Sequence, residues 1–139
     1  MIKKFIALLG VAAAGVILGA AGATYVGAQS TPQVKRTELL RQPISGLDGK
    51  EMVVYTAELP PGGVAARHWH PGDEALYGLQ GTLTIEPDHA QAVDLKVGQI
   101  VFNPTKHVHA ARNVSTTETT KVIVFMLADK GQPLAVPAQ

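Results

Sequence analysis

Four of the five histidines in this chain form two close pairs, His68/His70 and His107/His109. In an extended segment, residues two apart project to the same face. Each pair can therefore aim two imidazoles at one point. Glu74 follows His70 across Pro71-Gly72-Asp73, a turn able to bring a carboxylate back beside the rings. Imidazoles with one carboxylate and no thiolate form a donor set for a divalent transition ion: Fe, Mn, Co, Ni, Cu or Zn. A single histidine, or one His-x-His, reads most simply as an ordinary surface or core residue. Two pairs and a carboxylate on one scaffold are a different case. An ion of high coordination number would keep open positions for water, oxygen or substrate. Tetrahedral zinc with four protein ligands would make a closed, structural site.

The elements that must position these groups are short. The chain has 139 residues and a mass of 14.6 kDa, room for one domain. Apolar residues make up 46% and aromatics 5%, so the core is not built on large rings. Cys is absent, which excludes disulfides, Fe–S clusters and thiol nucleophiles. Twelve basic residues balance eleven acidic ones, which leaves no electrostatic footprint for nucleic acid. β-rich or alternating runs occupy residues 51–59, 64–70, 74–80, 82–86, 92–95, 99–102, 107–112 and 120–127. Gly, Pro and Asn punctuate them. Short strands at this spacing, with no convincing helix after residue 30, predict an all-β sandwich or barrel. Residues 29–36 read as a linker, 37–128 as the barrel, and 129–139 as a tail without periodicity.

The N-terminus differs from the rest. Lys3 and Lys4 precede an apolar run from Phe5 to Ala28 that ends in Val26-Gly27-Ala28, followed by polar residues. This pattern predicts a helical secretory signal at residues 1–28, cut after Ala28. The alternatives are a retained membrane anchor through residues 5–28 and a helix of the folded domain. Gly15 and Gly19 form a GxxxG that follows easily from the Gly/Ala-rich composition. Signal or anchor, the expectation is an exported protein, periplasmic or extracellular.

With these residues in view, the chain resembles the cupins. Gly62 to Gly81 reads G-GVAAR-H-W-H-PGD-E-ALYGLQ-G, similar to the first cupin motif, G-x5-H-x-H-x3,4-E-x6-G, at every fixed position. Gly98 to Asn113 reads G-QIVFN-P-T-K-HV-H-AAR-N and resembles the second, G-x5-P-x-G-x2-H-x3-N, except that Lys106 stands in place of Gly. The resemblance implies a single-domain, double-stranded β-helix (jelly-roll) barrel holding one divalent transition metal through His68, His70, Glu74 and His109. It also implies homodimers paired through N-terminal strands, here residues 33–44. Similar small cupins include dioxygenases, lyases and isomerases.

The expected function is a metal-dependent oxidoreductase of the dioxygenase kind acting on a small organic substrate. The alternative is a non-catalytic cupin that binds or senses a metal or small ligand. Glu74 is a candidate base as well as a ligand, and His107 a candidate proton shuttle near His109. Trp69 and Arg67 have the opposite parity to the ligands, and Trp69 reads as packing. Tyr77 reads as core or interface, Asn113 as turn support and His89 as solvated. Gly62, Gly63 and Gly72 read as turn glycines, and the Asn113-Val114-Ser115 sequon as coincidence.

Overall fold

The structure, a computed structural model, describes residues 31–139. The signal or anchor segment expected at residues 1–28 lies outside them. Among the described residues no helix is long and apolar enough to cross a membrane.

The described chain is all β. In order its strands are β1 (Lys35–Pro43), β2 (Lys50–Leu59), β3 (Val64–Trp69), β4 (Gly72–Gln80), β5 (Thr82–Pro87), β6 (Val93–Lys96), β7 (Ile100–Asn103), β8 (His109–Arg112), β9 (Thr120–Asp129) and β10 (Val136–Pro137). They form two five-stranded sheets of antiparallel pairs, ordered β1-β2-β9-β4-β7 and β10-β3-β8-β5-β6. Every run expected from residue 51 onward forms a strand. Two regions carry more structure than their composition suggests. Lys35 and Arg36, at the end of the expected linker, already belong to β1. The aperiodic C-terminal stretch supplies β10, whose Val136 and Pro137 pair with Trp69 and His68.

Alternation explains the core. Val53, Tyr55, Ala57 and Leu59 of β2 point inward, as do Val122, Val124, Met126 and Ala128 of β9. They meet Ala65, Leu83, Ile85, Leu95 and Ala111 of the other sheet, and the apolar area they remove from water holds the layers together. Buried Glu51 is satisfied by Arg41 and by the Gly131 N–H, which ties the C-terminal stretch to the first sheet.

The outer face of the first sheet is unusually apolar. One cross-strand row runs Leu40, Val54, Phe125, Ala75, Phe102 over all five strands. Within it Leu40 is 47%, Phe125 43% and Phe102 62% exposed. Tyr77 lies on this face beside exposed Ile100, its partner across β4 and β7.

Gly72 is not simply a turn residue. It opens β4 opposite Ala128, where a Cβ would lie 2.3 Å from the Leu127 carbonyl oxygen. Backbone blocks that volume, so only Gly lets β4 reach β9 at this point. Gly72→Ala is expected to destabilise the protein by about 1–3 kcal/mol, the usual range for overpacking. Urea unfolding would read this as a lower midpoint with an unchanged m-value.

Candidate metal centre

The first sequence motif folds as β3, a tight connection and β4; the second as β7, a turn and β8. Antiparallel pairing of β3 with β8 sets His68 directly opposite His109. His70 follows β3 on the same parity as His68. The three rings converge, with centroids 4.7 Å apart for His68–His70, 4.5 Å for His68–His109 and 5.2 Å for His70–His109. One nitrogen from each lies within 4.8 Å of the others, and all three residues are buried.

Each ring is held by a backbone carbonyl on its Nδ1 side. His68 Nδ1 lies 2.6 Å from the Ala66 oxygen, His70 Nδ1 2.6 Å from the Leu134 oxygen, and His109 Nδ1 3.0 Å from the His107 oxygen. A carbonyl only accepts, so each Nδ1 carries the proton and each Nε2 keeps its lone pair. Neutral rings that keep an Nε2 lone pair are what a divalent ion requires. Burial reinforces the state. It pushes His68 down to about 4 and His70 to about 3, and it also lowers His109. The site residues therefore fit a transition ion by donor chemistry, charge state and spacing.

Glu74, the expected fourth ligand, stands beside the three-histidine cluster and outside it. It is buried on β4 and borders the same cavity. Its Oε1 accepts from the Tyr55 hydroxyl at 2.5 Å and lies 3.0 Å from His70 Nδ1. With His70 neutral and its Nδ1 proton donated to the Leu134 carbonyl, this contact is a close approach and not an ion pair. Oε2 lies 3.4 Å from Asn103 Nδ2, opposite it on β7. Burial raises Glu74 to about 7, against the lowering pull of its Tyr55 and Asn103 partners. Burial likewise pushes Tyr55 well above the usual phenol range, followed by the Glu74 charge.

His107 departs from the face-sharing expected of it. β8 begins only at His109, so strand alternation does not reach residue 107. His107 is half-buried and is not among the residues lining the cavity; its carbonyl, not its ring, serves the site. The preceding turn contains Lys106 at φ 61°, the one non-glycine residue with positive φ among those described. The turn thus keeps the backbone that glycine would favour, at a cost of roughly 1–2 kcal/mol. Lys106 N–H donates to the His70 carbonyl and Thr105 N–H to Asp73 Oδ1, which latch the turn to the β3–β4 connection.

The residues outside the cluster take supporting places. Asn113 is buried, and its amide nitrogen lies within hydrogen-bond reach of the Leu59, Pro60 and Glu118 carbonyls. Arg67 pairs with Asp88, Trp69 is half-buried, and His89 is exposed. Sequence reasoning did not find Arg36, Tyr55, Asn103 or the Leu134 carbonyl. Tyr55 carried one signal, a polar tip on the inward parity of β2. Asn103 precedes the proline of the second motif. Arg36 and Leu134 carried none, since β1 and the C-terminal stretch reach the site only through the fold.

The comparisons agree with this architecture. The cupin domain family matches residues 55–126, more than half of the chain, and the chain belongs to that family. None of the curated proteins matches it. Among solved structures it is similar to a cupin-like protein from Thermotoga maritima, with 23% identity, TM-score 0.59, and 76% of this chain and 75% of that one covered. A cupin domain from Bordetella pertussis matches at 21% identity and TM-score 0.56, over 70% of this chain and 96% of that one. The DMSP lyase DddQ from Ruegeria pomeroyi matches at 21% identity and TM-score 0.62, over 84% of this chain but 57% of that one. At these identities the structural likeness is one of fold. The protein is thus a small single-domain cupin with a three-histidine cluster able to hold a metal ion.

The charge states give the metal-free protein a defined acid response. The depressed imidazoles bind fewer protons folded than unfolded, so each loses stability as pH falls from about 6.5 toward its folded value. Glu74, raised to about 7, acts oppositely and destabilises as pH rises from 4.5. Three imidazoles outweigh one carboxyl. Calorimetry of the metal-free protein should therefore show stability falling by a few kcal/mol on acidification from pH 6.5 to 4.5. His70→Gln should flatten that dependence.

Proposed function

We propose that this cupin is a metal-dependent oxidoreductase of the dioxygenase kind, acting on a small organic substrate. The observation that supports this most is the convergence of three neutral imidazoles whose Nδ1 atoms are all held by backbone carbonyls. His68, His70 and His109 would hold the ion through Nε2. A bound divalent metal would supply Lewis acidity and a place for oxygen or a substrate oxygen.

Glu74 supplies proton chemistry beside it. Buried beside the three imidazoles, its carboxyl borders the cavity in which a bound ion and substrate would meet. The Tyr55 hydroxyl and Asn103 amide orient it. Core residues such as Leu59, Leu83 and Val124 line the inner cavity, a small space of about 30 Å³ that the three imidazoles and Glu74 share.

The His68→Ala/His70→Ala variant should lose metal by elemental analysis; stoichiometric retention would refute the site. Glu74→Gln should retain metal and lose turnover by about 10²–10⁴-fold. A loss of metal instead would restore Glu74 as a ligand. Oxygen uptake is to be measured with phenolic and diketone substrates on protein loaded separately with Fe, Ni, Cu and Mn. Silence in all four would favour the second reading, a non-catalytic cupin that binds a metal and a small ligand.

Pairing of two copies is part of the same proposal. The row from Leu40 to Phe102 crosses the whole outer sheet, and β1, within the segment expected to pair, forms its edge. Contiguous apolar faces of this kind mark protein contacts, and a second sheet face of the same shape fits them. Phe102→Glu should convert a dimer to a monomer in sedimentation, and an unchanged mass would exclude this face.

A further inference from the structure

Arg36 stands apart from the other arginines. Arg41 pairs with Glu38 and Glu51, Arg67 with Asp88, and Arg112 with Glu86. Among the described residues Arg36 has no carboxylate within ion-pair distance. Its guanidinium is directed from β1 to the site, with Nη2 3.1 Å from His68 Nε2. Because His68 Nδ1 donates to the Ala66 carbonyl, Nε2 is the acceptor and Arg36 the donor. The lone pair engaged is the one a metal would use.

Arg36 also lies where two cavities meet. It lines the inner one with the three histidines and an outer vestibule of about 230 Å³ with His68. Small apolar groups, among them Val34, Ala65, Ala135 and Pro137, form much of the vestibule wall. The second arginine there, Arg67, is already spent on Asp88 and the Gln139 carbonyl. The Arg36 guanidinium, in contact with His68 Nε2 and beside the Tyr55 hydroxyl but in no carboxylate ion pair, thus borders an open cavity of mixed polar and apolar lining and small-molecule size. A half-buried guanidinium with no carboxylate in ion-pair contact keeps donor capacity to spare, and it matches a carboxylate in shape and charge.

We propose that Arg36 is the anchor for a small organic carboxylate with an apolar body, taken up through the vestibule. The proposal rests on the metal reading only in placing the ligand's head beside the ion; the guanidinium contact stands without it. When a metal takes the His68 Nε2 lone pair, the Arg36 donors are released to the carboxylate.

Calorimetric titration with matched pairs tests this: benzoate against benzamide, and propionate against propionamide. Each is to be run on the full chain, both metal-free and Zn-loaded, with metal content measured. The wild type should prefer the carboxylate by about tenfold or more, the scale of a charge-assisted hydrogen bond. Arg36→Gln should reduce that preference to near unity, and Arg36→Lys should retain part of it. The preference is a ratio within one protein, so it survives a modest loss of stability. No preference in the wild type, or an equal preference in Arg36→Gln, overturns the anchor. Metal bound without a preference overturns the anchor alone. An Arg36-dependent preference in protein that binds no metal supports the anchor and overturns the metal reading.

Discussion

Three hydrogen bonds between ring Nδ1 atoms and backbone carbonyls govern the site. They fix which nitrogen carries the proton, and so which lone pairs face inward. The carbonyls come from separate places: Ala66 on the same strand as His68, His107 in the turn before β8, and Leu134 in the C-terminal stretch. Two of these bonds are local, each to the residue two before the ring, whereas the Leu134 bond and the meeting of the three rings need the closed double sheet.

The electrostatics follow from that enclosure. Burial drives His68 and His70 toward neutrality and Glu74 toward protonation. Both shifts express the cost of isolated charge in a poorly solvated space. A cation at the centre favours the opposite balance for the carboxyl, since its field stabilises the carboxylate while the Nε2 lone pairs bind it directly. The cavity is therefore tuned as a unit, with the Tyr55 hydroxyl and the Asn103 amide holding Glu74 in place.

Local backbone compromises keep the two motifs in register. Lys106 takes a left-handed conformation so that its N–H meets the His70 carbonyl. Gly72 gives up its side chain so that β4 can lie against β9, two residues before Glu74. The first tolerates an unfavourable residue and the second demands a particular one. The difference lies in what each would strike: the Lys106 side chain is exposed, whereas a Cβ at residue 72 would meet backbone.

Much of this was legible in the residues themselves. Alternation fixes strand parity, so β2, β4 and β9 could be read directly, and His-x-His placed two imidazoles on one face. The two motifs named the family and gave His68, His70 and His109 as partners. Long-range pairing decided the remainder. No local pattern says that Arg36 reaches His68, that Tyr55 meets Glu74, or that an aperiodic C-terminal stretch returns to cap His70. Nor could alternation show that β8 starts at His109, which removes the His107 ring from the cavity. Side-chain parity is a property of a few adjacent residues, whereas these contacts join segments up to 64 residues apart; they exist only once the sheets have closed.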